Sequence, residues 1–175
     1  MSKKITMPLT EKTIESLKAG DEVLLSGVIY TARDQAHKRM CEMLDKGESL
    51  PVPLAGEVLY YCGPAPRGKR IIGSCGPTTS GRMDPFTEPL LENGLKGMIG
   101  KGRRSSGVAG SIRRNKAVYF VTAGGAGAYL SAKVVSCECV AFEDLAAEAI
   151  YKLKIEEFPA IVAIDSKGDN IYDKY

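Results

Sequence analysis

Apolar residues occur in two kinds of segment along this chain. Some segments are short continuous apolar runs, and others are longer stretches with an apolar side chain every three or four positions,. The continuous runs are rich in Val, Ile and Tyr and predict strands at 23–30, 57–61, 70–73, 96–99, 117–122 and 134–142,. The periodic stretches predict helices at 11–18, 33–46, 82–92 and 106–115,. Strands and helices therefore alternate through the middle of the chain, which is typical of a mixed α/β domain with several layers.

The connections and the ends of the chain carry local signals of their own. Pro51 and Pro53 keep their segment extended, since proline blocks a helix at those positions,. Near the C-terminus, 158–165 and 170–173 flank the turn sequence Ser-Lys-Gly-Asp and predict a hairpin,. We expect antiparallel material at both ends of the chain and a single domain over residues 1–175.

The composition fits a globular domain. Of the 175 residues, 44% are apolar and 26% are charged, which allows a core and does not fit a disordered chain,. The 24 basic and 21 acidic residues leave a net charge of +3, too small to indicate nucleic acid as the main partner,. No apolar run reaches the roughly 18–20 residues of a membrane span, and no apolar stretch follows the basic N-terminus as in a signal peptide,. We expect a cytoplasmic protein that binds neither membrane nor nucleic acid.

The five cysteines form no recognisable disulfide or metal motif, since their number is odd and no Cys-x-x-Cys pair occurs,. Cys137 and Cys139 are spaced to lie on one face of a strand, and with a third thiol they could hold an iron–sulfur cluster,. Buried or half-buried free cysteines that act as small apolar side chains are the interpretation we favour. His37 is the one histidine, which excludes a multi-histidine metal site within this chain,. We therefore predict no metal ligand in it.

Two glycine-rich stretches resemble phosphate-binding loops. The first, 97–102, lacks the earlier glycine and the following hydroxyl residue that a P-loop needs around its Gly-Lys pair,. The second, 121–128, follows a strand as a dinucleotide-binding turn does, but it comes late in the chain, with little sheet left to complete a nucleotide fold,. We favour closely packed backbone there, or an anion site made of backbone N–H groups. A nucleotide-binding module is the weaker alternative.

The densest chemical signal is the segment 73–86, Gly-Ser-Cys-Gly-Pro-Thr-Thr-Ser-Gly-Arg-Met-Asp-Pro-Phe. A predicted strand enters it, three hydroxyl residues follow Pro77, and Arg82 begins the next predicted helix. Backbone N–H groups, hydroxyls and a guanidinium can converge there on an anion, with help from the positive end of the helix dipole. The alternative is an ordinary turn in which Thr79 or Ser80 caps the helix. The local pattern does not decide between the two.

Two further basic positions are similarly ambiguous. Arg33 and His37 are four residues apart at the start of a predicted helix and so share one face,. Lys101 lies between two glycines after a short strand, where a ligand could approach closely,. The alternative for Arg33 and His37 is a solvated helix surface, and the alternative for Lys101 is a flexible surface lysine. Taken alone, the sequence around each position favours the alternative.

Three strings together resemble one known family. These are Gly-Pro-Thr-Thr-Ser-Gly-Arg-Met-Asp at 76–84, Thr-Ala-Arg-Asp-Gln-Ala-His at 31–37 and Ile-Gly-Lys-Gly at 99–102. They are similar to segments of the β subunit, or C-terminal domain, of class I fumarases and L(+)-tartrate dehydratases. The resemblance extends from the first predicted helix to Phe-Pro-Ala-Ile-Val at 158–162. It implies a swivelling β/β/α fold and one half of an iron–sulfur hydro-lyase.

In that family, three cysteines of the larger α subunit hold a [4Fe-4S] cluster, so the resemblance implies that this chain holds none itself. It also implies an active site between the subunits of a heterodimer or heterotetramer. The implied substrate is a C4-dicarboxylate, and the implied reaction is the reversible hydration of fumarate to (S)-malate. Tartrate dehydration to oxaloacetate uses the same residues, and no residue of this chain separates the two substrates. A non-catalytic dicarboxylate-binding subunit is the alternative from another functional class.

The resemblance also assigns roles to individual positions. Arg33, Arg82 and Lys101 would bind the substrate carboxylates, a task that suits arginine because its planar fork matches a carboxylate. The backbone and hydroxyl groups of four consecutive residues would surround them, namely Thr78, Thr79, Ser80 and Gly81. Thr78 corresponds to the threonine to which the family assigns proton transfer. A free threonine hydroxyl is a poor base, so Thr78 would need activation by a neighbouring group, which the partner subunit would supply.

Overall fold

A seven-stranded mixed sheet organises residues 1–174, which are the residues that the computed structural model describes. Its strands are β1 (Lys3–Thr6), β2 (Glu22–Thr31), β3 (Val58–Tyr60), β4 (Gly97–Gly100), β5 (Val118–Val121), β6 (Val134–Ala141) and β7 (Ile150–Ile164). The helices are α1 (Glu11–Ser16), α2 (Asp34–Asp45), α3 (Asp84–Glu92), α4 (Ser106–Arg114) and α5 (Gly127–Ser131). The expected mixed α/β architecture is confirmed, while the swivelling β/β/α arrangement that the resemblance implies stays a prediction.

Strand order places the carboxyl ends of four strands together. β2, β3, β4 and β5 are neighbours in that order and all run parallel. β7 runs antiparallel to β2 on one side and to β5 on the other, so these five strands close a ring of pairings. The loops after the four parallel strands meet at one edge of the sheet, and both open and closed sheets of parallel strands bind ligands at that end. We call this region the carboxyl edge and define it as residues 32–37, 61–83, 101–105 and 122–127.

Apolar side chains pack on both faces of the sheet. On β3, Val58 and Tyr60 belong to one buried cluster and Leu59 to the other, as the alternation of side chains along a strand requires,. The second cluster includes the inner side chains of α2, α3 and α4, such as Met40 and Leu90. These helices therefore cover one face of the parallel strands and support the loops of the carboxyl edge. None of the helices within residues 1–174 is long and apolar enough to cross a membrane.

Two predicted strands are wrong. Residues 70–73 lie in a loop, whose base is closed where the Ala65 N–H donates to Ser74 O at 2.9 Å. A strand there could not pair with β3, the strand that precedes it, because β3 is already paired on both sides. In the predicted C-terminal hairpin, the second strand is a 3₁₀ turn at Ile171–Asp173, and a single bridge joins Ile164 to Asn170.

Three elements have sequence signals too weak to predict. β1 has one buried residue, Ile5, and it runs parallel to β2, so the expectation of antiparallel material at the N-terminal end is wrong. α5 is only five residues long. The first half of β7 alternates lysines with buried Leu153 and Ile155. This half-buried alternation extends a strand that sequence analysis begins only at residue 158, and the extension pairs with β6.

Candidate active site

The residues predicted to bind an anion all lie at the carboxyl edge. Arg33 follows β2 as the N-cap of α2. The segment 78–82 belongs to the loop after β3 and includes a 3₁₀ turn at Ser80–Met83, which continues into α3. Lys101 comes directly after β4. The parallel order of the strands thus brings together three segments that are well separated in the sequence.

Arg33 and Arg82 share one carboxylate. Arg82 Nε donates to Asp34 Oδ1 at 3.2 Å, and Arg82 Nη2 lies 2.8 Å from Oδ2 without the alignment of a hydrogen bond. Arg33 Nη2 lies 3.8 Å from the same Oδ2. One negative charge between two guanidinium groups leaves this point positive, so a further anion is attracted to it.

Arg33 itself has an unused donor. Its Nε is buried and has no hydrogen-bond partner within residues 1–174, although its side chain is 26% exposed. A buried unpaired donor is rare in folded proteins and calls for an explanation, of which a missing ligand is one. Gly63 provides the space for this side chain, because a Cβ at 63 would lie 2.9 Å from Arg33 Cδ and 3.2 Å from Ala147 O.

His37 is fully buried beneath Arg33, so a solvated helix surface is wrong for this residue. Its Nδ1 lies 2.8 Å from Arg33 O, a carbonyl that also accepts the His37 backbone N–H at 2.9 Å. Burial lowers the pKa of His37 to about 4, against the opposing effect of this hydrogen bond,. The neutral ring therefore carries its proton on Nδ1 and donates it to Arg33 O, while its Nε2 has no partner among the described residues. His37 fixes the backbone from which the Arg33 side chain extends.

The segment 78–82 is held to the strands by its backbone. Thr78 is half-buried, and its N–H donates to Tyr61 O at 2.7 Å. Thr79 is exposed and forms a parallel bridge with Lys101. Thr79 stands at the N-cap of the 3₁₀ turn without a side-chain hydrogen bond, and Ser80 lies inside that turn. Thr79 therefore occupies the N-cap position that the alternative of an ordinary turn expects, but its hydroxyl does not cap the turn.

Ser80 is distinguished by its hydroxyl, which is hydrogen-bonded within the chain. Its side chain is buried, its N–H donates to Lys101 O at 2.9 Å, and its Oγ accepts the Lys101 N–H at 3.1 Å. The Ser80 Oγ also lies 2.8 Å from Tyr119 Oη. A Cβ at Gly100 would overlap this Oγ, so glycine is needed there. The half-buried Gly81 is less constrained, since a Cβ at that position would come no closer than 3.8 Å to another group.

The Lys101 side chain extends along the glycine-rich loop after β5. A Cβ at Gly124 would lie 3.4 Å from Lys101 Cδ and 3.5 Å from its Nζ. Lys101 takes part in none of the ion pairs that the described residues form. Its ammonium group therefore adds a third positive charge to those of Arg33 and Arg82 among the residues predicted to bind an anion.

The glycine-rich loop also packs against the loop that precedes Thr78. A Cβ at Gly127 would overlap Ser74 Oγ and lie 2.9 Å from Gly76 N. The Cys75 N–H donates to Gly127 O at 3.2 Å. The expectation of closely packed backbone in this glycine-rich stretch is confirmed.

The cysteines do not form a site for an iron–sulfur cluster. Cys62 and Cys75 are buried, and the neighbouring Cys75 thiol together with burial raises the pKa of Cys62. Cys137 is half-buried, but Cys139 is exposed, so the favoured interpretation is wrong for Cys139. Across residues 1–174, no three His, Cys, Asp or Glu side chains are placed to hold a metal ion. The residues present therefore do not fit such a cluster.

Comparison with known proteins shows that nearly the whole chain is similar to part of known fumarate hydratases. The family model described as "Fumarase C-terminus" matches residues 2–175. The chain is 38% identical over 159 residues to "Fumarate hydratase 2" of Leishmania major, covering 89% of this chain and 28% of that protein. It is 38% identical over 154 residues to "Fumarate hydratase class I, aerobic" of Escherichia coli (strain K12), covering 86% and 28%. The chain thus spans less than a third of the length of these two relatives.

A third relative is of similar length to this chain. It is the "Putative L(+)-tartrate dehydratase subunit beta" of Methanocaldococcus jannaschii, 36% identical over 173 residues, which cover 95% of this chain and 89% of that protein. The resemblance carried by the three sequence strings is thereby confirmed over nearly the whole chain.

Proposed function

The chain belongs to the fumarase C-terminus family, and from this membership we propose that it is the β-type half of a hydro-lyase that reversibly hydrates fumarate to (S)-malate. The observation that carries the proposal is the pair of arginines around Asp34, with the buried Arg33 Nε unpaired beside them. Named relatives of this family are fumarate hydratases and a tartrate dehydratase subunit, so hydro-lyase chemistry is common to them.

Dicarboxylate binding is the first task of this site. Arg33, Arg82 and Lys101 bind the two carboxylates of the substrate, since arginine forks match carboxylates and the lysine adds a further cation. Removing a proton next to a carboxylate transfers negative charge onto that carboxylate. Cations that are already fixed in position stabilise such charge most in the transition state.

The Thr78 hydroxyl acts in proton transfer. The Thr78 backbone is fixed by its hydrogen bond to Tyr61 O, which holds the side chain at the carboxyl edge. A neutral hydroxyl needs an activating group to work as a base, and the partner subunit supplies it. Thr79 and Gly81 surround the substrate, while Ser80, whose polar groups are already bonded, holds the segment in place.

The partner is a larger α subunit that carries a [4Fe-4S] cluster. This chain's own described residues do not fit a cluster, so the assignment to a second chain agrees with the donor set found here. The assembly is a heterodimer or heterotetramer in the cytoplasm, with the substrate bound between the two kinds of subunit.

L(+)-tartrate dehydration to oxaloacetate is the second candidate function. It is favoured by the Methanocaldococcus jannaschii relative, 89% of which this chain covers and whose name specifies a tartrate dehydratase subunit beta. The same cations would bind tartrate, because it too is a C4-dicarboxylate.

Anaerobic affinity purification of the tagged chain from its native cells tests the proposal. We expect a larger chain in equal amount, bound iron, and fumarate hydration in the eluate, with tartrate as the second substrate to assay. A chain that emerges alone and iron-free, yet binds succinate, would instead be a non-catalytic dicarboxylate-binding subunit. In the active complex, Thr78→Ala should lower kcat more than it raises KM, and a pure KM effect would make Thr78 a binding residue.

A further inference from the structure

A buried arginine that none of the roles above includes lies within the carboxyl edge. Arg104 comes three residues after Lys101, and its side chain has no solvent-exposed surface. Arginine is almost never fully buried unless it is paired, because removal of its charge from water is costly. Its partners therefore indicate what it does.

Every nitrogen of the Arg104 guanidinium has a partner in the chain. Nε donates to Asp84 Oδ1 at 2.6 Å, Nη2 donates to Thr87 Oγ1 at 2.8 Å, and Nη1 lies 3.4 Å from Tyr61 Oη. The guanidinium carbon also lies 5.3 and 4.9 Å from the ring centres of Tyr61 and Tyr119. Asp84 balances the charge, so Arg104 neither contacts substrate nor adds net charge to the site.

Asp84 connects Arg104 to both loops that carry the site cations. Asp84 begins α3, two residues after Arg82, and its Oδ2 accepts the Ser105 N–H at 2.8 Å. The carboxylate therefore bonds to Arg104 and to the residue after it while standing next to the segment that contains Arg82. A change at Arg104 would loosen the 78–84 segment from the 101–105 loop.

Tyr119 forms a second connection on the other side of the guanidinium. Its Oη lies 2.8 Å from Ser80 Oγ and 2.8 Å from Gly102 O. The Tyr119 hydroxyl can donate to either of these two oxygens, and Ser80 Oγ also accepts the Lys101 N–H,. The ring that Arg104 faces thus holds Ser80 and Lys101 in register.

We propose that Arg104 is a positioning residue that fixes Arg82 relative to Lys101 through Asp84 and Tyr119. The inference rests on the proposed function, in which those two cations bind the carboxylates of one C4-dicarboxylate. A rigid substrate requires a fixed spacing between its cations, and misplacement of a binding group by about 1 Å can cost about a hundredfold in rate. Arg104 provides this spacing from behind the site, without touching the substrate.

Two variants of the purified complex with its partner subunit test the inference. Arg104→Lys keeps the positive charge but not the fork that reaches Asp84 and Thr87 together. We expect at least about a tenfold rise in KM for fumarate and in Kd for succinate, with a smaller change in kcat. Tyr119→Phe keeps the ring and removes only Oη, so we expect a rise of about threefold in both constants.

Leu17→Val is the matched control. Leu17 is fully buried between α1 and the amino end of β2, so a smaller side chain lowers stability at the opposite end of the parallel strands from the site loops,. Wild-type KM and Kd in Arg104→Lys would overturn the inference. So would an equal rise in Leu17→Val at the same loss of Tm, because the effect would then come from general destabilisation.

Two further outcomes are distinguishable. If Arg104→Lys fails to assemble, Tyr119→Phe decides: a rise in both constants supports the inference, and unchanged succinate binding overturns it. If the wild-type complex neither binds succinate nor hydrates fumarate, the proposed function is itself wrong and the inference falls with it. If the wild-type complex binds succinate and hydrates fumarate, and the variants have the same KM and Kd as the wild type, the positioning role is wrong while the proposed function stands.

Discussion

Two buried polar regions of this protein differ in how completely their atoms are hydrogen-bonded. In the turn after β7, Asp165 is 1% exposed and both its oxygens have partners. Oδ1 accepts the Lys167 and Asp169 N–H groups at 2.9 and 3.1 Å, and Oδ2 accepts the Ala19 N–H at 3.0 Å. At the carboxyl edge, by contrast, three buried side-chain atoms have no hydrogen-bond partner among the described residues, namely Arg33 Nε, Asp34 Oδ2 and His37 Nε2, although Asp34 Oδ2 lies 2.8 Å from Arg82 Nη2.

The contrast distinguishes a turn that only stabilises the fold, around Asp165, from a candidate ligand-binding site at the carboxyl edge. A buried carboxylate that collects the N–H groups of its own turn lowers the free energy of the fold, and nothing is left over for a ligand. At the edge, polar atoms without hydrogen bonds lie next to an excess of positive charge. This lowers the stability of the fold unless a bound ligand supplies the missing partners. Removal of a substrate-binding cation at the edge should therefore affect catalysis, and removal of the carboxylate at the turn should affect stability.

Arg82→Ala gives the largest expected effect. The variant removes a guanidinium that binds a substrate carboxylate, and we expect kcat/KM of the complex to fall at least about a thousandfold, or about 4 kcal/mol. The fold should be intact, because the Arg82 side chain is 53% exposed. Arg39→Ala is the matched control, since Arg39 forms its own carboxylate pair with Asp144 away from the edge. Wild-type kinetics in Arg82→Ala would exclude a role in substrate binding.

Lowering the pH should destabilise the edge through His37. The pKa of this ring is about 4 in the folded protein, against about 6.5 when unfolded, so the unfolded state binds the proton more tightly,. The stability from the neutral buried ring is complete above pH 6.5 and is lost as the pH falls towards 4, about 3 kcal/mol in all. Urea unfolding of the wild type and of His37→Gln between pH 4 and 7 measures it. Equal pH slopes in the two proteins would contradict a buried neutral histidine.

The segments that contain the candidate site residues could be predicted from the sequence, because each is a short local pattern. The segment 78–82 and the Gly-Lys-Gly turn around Lys101 stand out by composition alone, and the strand pattern places them after β3 and β4. Their meeting at one edge depends on strand order, which no local pattern gives. The family resemblance supplied the connection that spacing did not.

The residues that support the site were not predictable, because their roles depend on distant contacts. His37 stands among Asp34, Lys38 and Arg39, a context typical of a solvated helix face, yet it is fully buried. Arg104 ends the basic run 101–104, whose composition is typical of a surface loop. Its burial is explained by its ion pair with Asp84, which lies in another segment. Non-local pairing overrides local polarity at both positions.

Asp165→Ala should change stability and leave catalysis unchanged. Three backbone N–H groups lose their acceptor, and we expect the free energy of unfolding to fall by about 2 kcal/mol,. The turn lies beside the amino end of β5, where Ile164 pairs with Tyr119, and so at the opposite end of the parallel strands from the site. Urea unfolding and fumarate kinetics on the same preparation measure both quantities. A KM that rises with the loss of stability would remove the distinction between the two regions.

Gly63→Ala gives the smallest effect and the most direct test of the edge. The new Cβ would lie 2.9 Å from Arg33 Cδ and 3.0 Å from its Nη1, so the flexible arginine must move, while Ala147 O, at 3.2 Å, has to shift only slightly. We expect about a tenfold rise in KM, equivalent to about 1.4 kcal/mol, with little change in Tm. Gly107→Ala is the control, because a Cβ there lies 4.0 Å from its nearest neighbour, Ser105 Oγ, and alanine favours α4 by about 0.5–1 kcal/mol,. A wild-type KM in Gly63→Ala would mean that the guanidinium of Arg33 does not bind substrate from the position it occupies beside Asp34.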